Sequence, residues 1–426
     1  MKDWAVSPAR NAPLGWLARL EALAPTLVLV IAGACLPLFE DSYLGVIGTR
    51  AAIYWVLVSG LNLVVGFAGQ IAIGWVALLT LGAYVTSVLT AGTVVPELSP
   101  YVALAIAGLF GAIFGVIVGL PALRLRTFYF AMTTLGFATI VTQVALAWKS
   151  VTGGGVGVPG PIFPWPFASP WGFYCLCLCL AVACTWMTAN IAASRFGRAL
   201  VAIRDAEVAA EAVGISKPAL LVKVFLFSGA VAGIAGGLFA SLQSYITPDA
   251  FTFDLSILFF IAILIGGRGS ILGPLLGTII LTALPEFAAP LIAWSTFLYA
   301  VLLLVIVFAM PGGIAEALDF KNRRPLEQHR EIRPRSELLH NLKQENAPSG
   351  RITLKGVSLS FGGVRAIDDL DLEIRPGEVH GLIGSNGSGK TTTLNVISGY
   401  YAPQHGRVLL RGKALSPRAP HTRAED

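Results

Sequence analysis

The residues best suited to chemistry lie near the end of the chain. Gly384-Ser-Asn-Gly-Ser-Gly-Lys390-Thr391 fits the phosphate-loop pattern G-x-x-x-x-G-K-[ST] without a mismatch. Glycines at these spacings let the backbone pass close to phosphate oxygens. Successive N–H groups and the start of a helix then hold the negative charge. Lys390 is placed to reach the β- and γ-phosphates, and the Thr391 hydroxyl is placed to ligate Mg2+ brought in with ATP. The expected contact set is Gly384, Ser385, Asn386, Gly387, Ser388, Gly389, Lys390, Thr391 and Thr392. A second array, Cys175-x-Cys177-x-Cys179, invites a metal or redox reading. Spacing of i, i+2, i+4 does not put three sulfurs on one helix face, and no histidine is near, so these thiols read as small hydrophobes in a helix.

A phosphate loop works only between a strand and a helix. Val379-His-Gly-Leu-Ile383 predicts a short buried strand feeding the loop, and Thr391 to Tyr401 predicts the helix after it. Upstream, Ile352-Thr-Leu, Val357-Ser-Leu and Leu370-Asp-Leu-Glu-Ile374 alternate like half-buried strands, and Pro376-Gly377 marks a turn. Residues 350–426 therefore read as part of an α/β P-loop domain.

What precedes that domain is different. The whole chain is 55% hydrophobic and only 13% charged, with a mean hydropathy of +0.73. A soluble domain carries about 25% charged residues. The apolar runs are about 20 residues long and apolar on all sides, which predicts membrane helices rather than barrel strands. About ten spans are expected, near 23–39, 51–68, 70–90, 101–121, 127–148, 171–192, 218–243, 255–267, 271–289 and 291–311, the eighth and ninth short enough to form one broken unit. The fold class is thus an all-α polytopic membrane bundle followed by the partial P-loop domain. Ile31-Ala-Gly-Ala-Cys35 resembles a lipoprotein cleavage site, but the spans that follow it favour a first membrane helix.

Charge orients the bundle. Lys2, Arg10 and Arg19 place the N-terminus inside, and alternation then puts Arg124, Arg126, Arg195, Arg198, Arg204, Lys217, Lys223, Arg268, Lys321, Arg323 and Arg324 on that same side. Glu97, the long 149–170 loop with its one Lys149, and Asp249 and Asp254 fall outside. Both termini and the phosphate loop are cytoplasmic. The +6 net charge reports this topology, not a nucleic-acid partner. Charges within spans are scarce, Asp254 and Glu286 lying near ends, and no histidine precedes His329, which speaks against a proton relay. Glycines at helical spacing, such as Gly108, Gly111, Gly115 and Gly119, suit close helix packing. The run Thr152-Gly-Gly-Gly-Val-Gly-Val-Pro159 reads either as exposed amides able to meet a carboxylate or as a plain flexible loop.

The cytoplasmic loop at 194–216 is rich in Ala, Glu and Arg, which favour helix, and Gly214 ends it. One short helix there would present Arg204, Glu207 and Glu211 on one side. It is either a solvated connector or a docking helix for the groove of a motor subunit.

That loop resembles the coupling segment of ABC importer permeases, whose Glu-Ala-Ala…Gly motif Glu211, Ala212 and Gly214 match. Gly60-Leu-Asn-Leu-Val-Val-Gly-Phe-Ala-Gly-Gln70, Leu123 to Phe130, Ser244 to Asp249 and Ile265 to Pro274 are similar to the branched-chain amino acid permeases, the hydrophobic amino acid and urea/amide uptake group. The similarity runs over 25–315, with a departure at Trp75, where the family commonly has histidine. From Arg351 the chain resembles the N-terminal part of ABC ATPase domains of that group. There the resemblance implies that Phe361 stacks on adenine, and Ser385 stands where proline is common.

The resemblance implies a permease for branched-chain or hydrophobic amino acids, or urea and short amides, in the bacterial inner membrane. It implies a second permease subunit, ABC ATPase subunits, and a periplasmic or extracellular substrate-binding protein. The expected domains are a cytoplasmic segment at 1–22, the permease at 23–318, a linker at 319–349 and the truncated motor at 350–426. No acidic Walker B strand, signature or switch histidine precedes Asp426, so this stretch alone is not expected to hydrolyse ATP. The rival reading, an ion-coupled transporter or channel with a regulatory nucleotide domain, predicts charges within spans and no docking helix. A third, a tethered GTPase-like switch, predicts an Asn-Lys-x-Asp motif, and none occurs.

Overall fold

The computed structural model describes residues 33–39, 42–92, 96–125, 127–287, 312–318, 350–385 and 387–415, with isolated positions at 30 and between 297 and 308. The expected segment at 1–22, most of the first span, nearly all of the tenth, the linker at 319–349, and Asn386 lie outside the described residues. The chain divides into two compact units, Met1–Val201 with Pro218–Phe320, and Ala202–Lys217 with Lys321–Asp426.

The first unit is helical. Its helices are α1 (Ser42–Asn62), α2 (Val76–Thr90), α3 (Pro100–Gly119), α4 (Thr127–Ala147), the single turn α5 (Lys149–Thr152), α6 (Pro170–Ala193), α7 (Arg195–Asp205), α9 (Lys217–Gln243), α10 (Phe253–Gly266), α11 (Gly273–Phe287) and α12 (Gly313–Leu318). The short α8 (Glu207–Ala212) falls in the second unit, as does the end of α7 from Ala202. Among the described residues, six helical stretches are long and apolar enough to cross a membrane, and two more, Val76–Thr90 and Gly273–Glu286, are apolar but shorter. The protein is therefore a multi-pass membrane protein. Ser169 caps α6 by accepting from the Gly172 N–H, and Thr252 caps α10 by accepting from the Leu255 N–H.

Helix α1 is the hub. It packs against α6 and α11, while α2 packs on α3 and α10 on α11. Helix α1 starts nine residues before the expected span, so Arg50 lies within it and not at its end. A long side chain whose charge reaches the interface is tolerated at that depth. Glycines close the seams, as their spacing suggests. A Cβ on Gly111 of α3 would stand 2.2 Å from the Gly229 carbonyl oxygen of α9, and one on Gly229 would stand 2.2 Å from that of Gly111. Backbone touches backbone there, and any side chain holds the helices apart.

Among the described residues, two stretches leave regular structure inside the bundle. After α1 the helix widens into a π turn at Leu63–Phe67, and residues 68–75, mostly buried, have no helical pattern before α2. Residues 267–272 likewise separate α10 from α11. The glycine-rich loop after α5 is braced rather than open. The N–H groups of Gly153, Gly154, Val156 and Gly160 are bonded to Lys149, Thr152, Gly153 and Ser244, and β1 (Val158–Pro159) pairs with β2 (Tyr245–Ile246). Cys177 and Cys184 are buried, Cys35, Cys175 and Cys179 are exposed, and all five are free thiols.

The second unit contains β3 (Ile352–Phe361), β4 (Val364–Ile374), α13 (Lys390–Ser398), β5 (His405–Leu410) and β6 (Lys413–Ala414). The strands form one antiparallel sheet in the order β4-β3-β5-β6. The two expected strands at 352–354 and 357–359 are one strand with a bulge between Leu354 and Val357, where the Gly356 N–H bonds to Asp371. Leu354, Val357, Leu359, Ile367, Val396 and Val408 make its core.

Candidate functional site

The phosphate loop is assembled from three pieces of the second unit. Gly389 caps α13 with φ +83°, and a Cβ there would lie 2.3 Å from the carbonyl oxygen of Ala366 on β4. Both the left-handed backbone and the close approach require glycine at this position. The first N–H groups of α13 have no partner within the helix, a geometry suited to an anion. The Lys390 ammonium donates to the carbonyl oxygens of Gly384 and Ser385 and to Ser388 Oγ, which holds it over the loop mouth. The Thr393 N–H and hydroxyl both donate to the Gly389 carbonyl, fixing the first turn. Ser385, Gly387, Ser388 and Thr391 are exposed there.

Phe361 ends β3 at the tip of the β3–β4 hairpin, paired with Val364. Ala366, which supports Gly389, lies two residues beyond Val364, so the fold brings Phe361 to the same end of the sheet as the loop. Its ring is 43% exposed and meets Tyr401 edge-on, centroids 4.9 Å apart. Below the loop, the Arg375 N–H donates to Glu378 across the Pro376-Gly377 turn. That bond, then the His380 ring, holds the Glu378 carboxyl below its usual range.

One expectation fails here. Val379–Ile383 is not a strand and is not buried, Val379 being 99% and Ile383 94% exposed. A buried strand needs neighbours on both sides. The described sheet is antiparallel throughout, and none of its strands lies beside 379–383.

The 194–216 segment also differs from its reading as one helix. Ala206, at φ −152° and ψ 79°, splits it into α7 and α8, so Arg204 and the pair Glu207 and Glu211 belong to different helices. Asp205 precedes the break, and its side chain takes the Arg204 guanidinium at 2.9 Å. Aspartate is a poor interior helix residue. Glu207 pairs with Lys217 at 2.6 Å, tying α8 to the first turn of α9. Ala212 ends α8, and Gly214 follows with φ +90°. Leu200, Ile203 and Ala210 are buried, whereas Val208 and Val213 are exposed.

The membrane unit holds polar groups that the composition hid. Asn62, 3% exposed, donates to the Ser270 carbonyl at 2.8 Å and accepts from the Gly269 N–H at 3.0 Å. The motifs around 60–70 and 265–274 are therefore in contact. Thr134 accepts from the N–H groups of Ile73 and Gly74, both at 3.2 Å. Trp75, at the position of departure from the family, is fully buried against Phe225. A cavity of about 390 Å3 opens between α4 and the 248–253 turn, with Thr139, Thr142, Gln143, Asp249 and Phe251 in its wall. Hydroxyls, an amide and one carboxylate beside an aromatic ring suit a small polar solute with an apolar end. Arg50, and Glu286 bonded to Tyr43, are ionisable groups carried by membrane helices that the expected span boundaries had left near span ends. Among the described residues no cluster of His, Cys, Asp and Glu could hold a metal.

Fold and loop together define a polytopic membrane protein joined to part of a nucleotide-binding domain. The chain belongs to the family described as branched-chain amino acid transport system / permease component, which it matches over residues 43–310. Residues 367–425 match the ABC transporter family. The high-affinity branched-chain amino acid transport system permease protein LivM of Escherichia coli is 30% identical over 295 residues, covering 63% of this chain and 69% of that protein. The C-terminal stretch is similar to an arabinose import ATP-binding protein AraG 2 of Burkholderia cenocepacia, 46% identical over 18% of this chain and 15% of that protein. It is also similar to a ribose import ATP-binding protein RbsA 3 of Rhizobium meliloti, 45% identical over 16% of this chain and 13% of that protein. The chain thus spans a small part of these ATP-binding relatives. A bacterial Atm1-family ABC exporter with ATP bound overlays at a TM-score of 0.18 and 14% identity, covering 76% of this chain and 53% of that chain, which carries no argument.

Proposed function

We propose that the chain is the permease of an ABC importer in the bacterial inner membrane, moving branched-chain or other hydrophobic amino acids, or urea and short amides. Its partners in this reading are a second permease subunit, ABC ATPase subunits, and a substrate-binding protein outside. The solute enters at the cavity beside Asp249, whose carboxylate meets an ammonium or amide N–H while Phe251 and Val76 face the aliphatic end.

The observation that carries the reading is the elbow of α7 and α8. The Glu207–Lys217 pair ties it to α9, and Val208 and Val213 face outward at 37% and 74% exposure. Apolar side chains presented on a charged cytoplasmic loop are what a groove on a motor subunit takes. Arg204, Glu207, Glu211, Ala212 and Gly214 set that elbow's shape and charge.

At the other site, the loop from Gly384 to Thr392 holds the phosphates of ATP, Lys390 meeting their charge, Thr391 ligating Mg2+ and Phe361 covering the base. Bound ATP would supply the free energy for switching the membrane helices. Replacing Glu211 with Arg in the assembled full-length transporter tests the coupling. Labelled leucine uptake into vesicles should fall at least about tenfold, a coupling change of roughly 1.4 kcal/mol or more, while nucleotide binding stays intact. Undiminished uptake would remove the docking role.

A further inference from the structure

An apolar groove of about 450 Å3 lies between α2, α3 and α4, and the proposed transport function does not use it. Val88, Phe110, Phe137, Val141, Val144 and Trp148 are among the residues that line it. Along α4 it runs from Phe137 to Trp148, a span of roughly 16 Å at the helical rise. That is about half of a hydrocarbon core near 30 Å thick, the depth of one leaflet. Its volume equals about fifteen water molecules at roughly 30 Å3 each, and a methylene is similar in size. One acyl chain fills such a space.

The outer mouth carries a charge. Trp148 is 56% exposed, as an aromatic at the membrane interface is, and Lys149 follows it. Lys149 is the single charged residue between Arg126 and Arg195. Among the described residues no carboxylate pairs with its ammonium. A basic group with no carboxylate partner among the described residues, set where apolar wall meets headgroup region, complements a phosphodiester.

We propose that this groove binds one phospholipid of the outer leaflet, an acyl chain lying along Phe137 to Trp148 and the phosphate against Lys149. Lipid seated there fills the space between α3 and α4 that protein side chains leave empty.

The test uses the full chain purified from membranes and placed in nanodiscs of phosphatidylethanolamine with phosphatidylglycerol. Native mass spectrometry after detergent exchange should find one retained phospholipid. Val144→Trp, at a 49% exposed wall position, should cut retention at least tenfold by filling the groove. Lys149→Gln should lower phosphatidylglycerol retention about fivefold, the effect of one surface lysine. Ile113→Trp, 50% exposed on α3 but outside the groove, should change nothing. A photoreactive benzoylphenylalanine at Val144 should crosslink to lipid. Equal retention by Val144→Trp and wild type, or a crosslink to a second polypeptide in place of lipid, would overturn the proposal.

Discussion

The seam between α3 and α9 makes a sharp test of the membrane fold. Gly111→Ala puts a methyl 2.2 Å from the Gly229 oxygen, with the Gly233 Cα at 2.9 Å on the same side. The contact is with backbone, so no side chain can swing away. The helices must part by about 1 Å, and a gap of that size forfeits a quarter to a half of each dispersion contact along the seam. Overpacking of this kind costs about 1–3 kcal/mol, against a gain of about 0.8–1 kcal/mol for alanine over glycine in a helix. Gly136 of α4 is the control, because a Cβ there meets nothing within 4 Å. Gly136→Ala keeps only the propensity gain. At roughly 2–4 °C per kcal/mol, Gly111→Ala should lower the apparent Tm in nanodiscs by a few degrees, and Gly136→Ala should raise it by about 2 °C. The double change Gly111→Ala with Gly229→Ala should cost less than the sum of the two singles, since both push apart the same contact. A midpoint that moves in the same direction for Gly111→Ala and Gly136→Ala would refute this account, because those two variants differ in what the new methyl meets.

Two further outcomes follow from other contacts. Asn62→Leu leaves the Gly269 N–H and the Ser270 carbonyl without partners inside the bundle, a cost of about 1–3 kcal/mol; hydrogen exchange should quicken at residues 269–271 while α2 stays protected, and unchanged exchange there would count against the clamp. In the second unit, the Glu378 carboxyl sits below its usual value, so its contribution is complete above the ordinary glutamate value near 4.3 and is lost as pH falls through the lower folded value. Exchange at the Arg375 amide should accelerate only below that point, and acceleration beginning near neutral pH would contradict the assignment.

The membrane helices were legible because a run of twenty apolar residues has one stable solution in lipid. The observed helices at 100–119, 127–147, 170–193 and 217–243 fall within a few residues of the expected spans. The start of α1 was not legible. Arg50 reads as a boundary in one dimension, and only the packed bundle shows a charge carried inside a helix. The break at Ala206 was hidden for a related reason: alanine-rich sequence favours helix on both sides, and only Asp205 and its bond to Arg204 mark the interruption. The phosphate-loop pattern could be picked out because it is local in sequence, and the match of residues 367–425 to the ABC transporter family agrees with the domain it marks; its contacts with phosphate belong to the proposed function. The strand before it was not, because Val379–Ile383 can be buried only by strands from elsewhere. The cavity wall was out of reach in the same way. Thr139, Thr142 and Gln143 lie on α4, and Asp249 lies more than a hundred residues later.

The permease-like motifs gain a physical meaning from the interior. Gly60 to Gln70 and Ile265 to Pro274 run into two places, among the described residues, where backbone leaves the helical pattern inside the bundle. Lipid offers no hydrogen bonds, so each such break must find its partners in protein. Asn62 serves the second break through Gly269 and Ser270, and Thr134 serves the first through Ile73 and Gly74. Gly66 is held to the same requirement, since a Cβ there would strike the Asn62 amide oxygen at 2.2 Å and the Gly269 nitrogen at 2.3 Å. A clamp built from one amide and one hydroxyl is weak enough to reopen, at roughly 0.6 kcal/mol for a typical interhelical bond in a membrane. Broken backbone held by such bonds is where a helix bundle can change shape without unfolding. In the proposed function, these two breaks are the places where movement transmitted through α9 would be taken up.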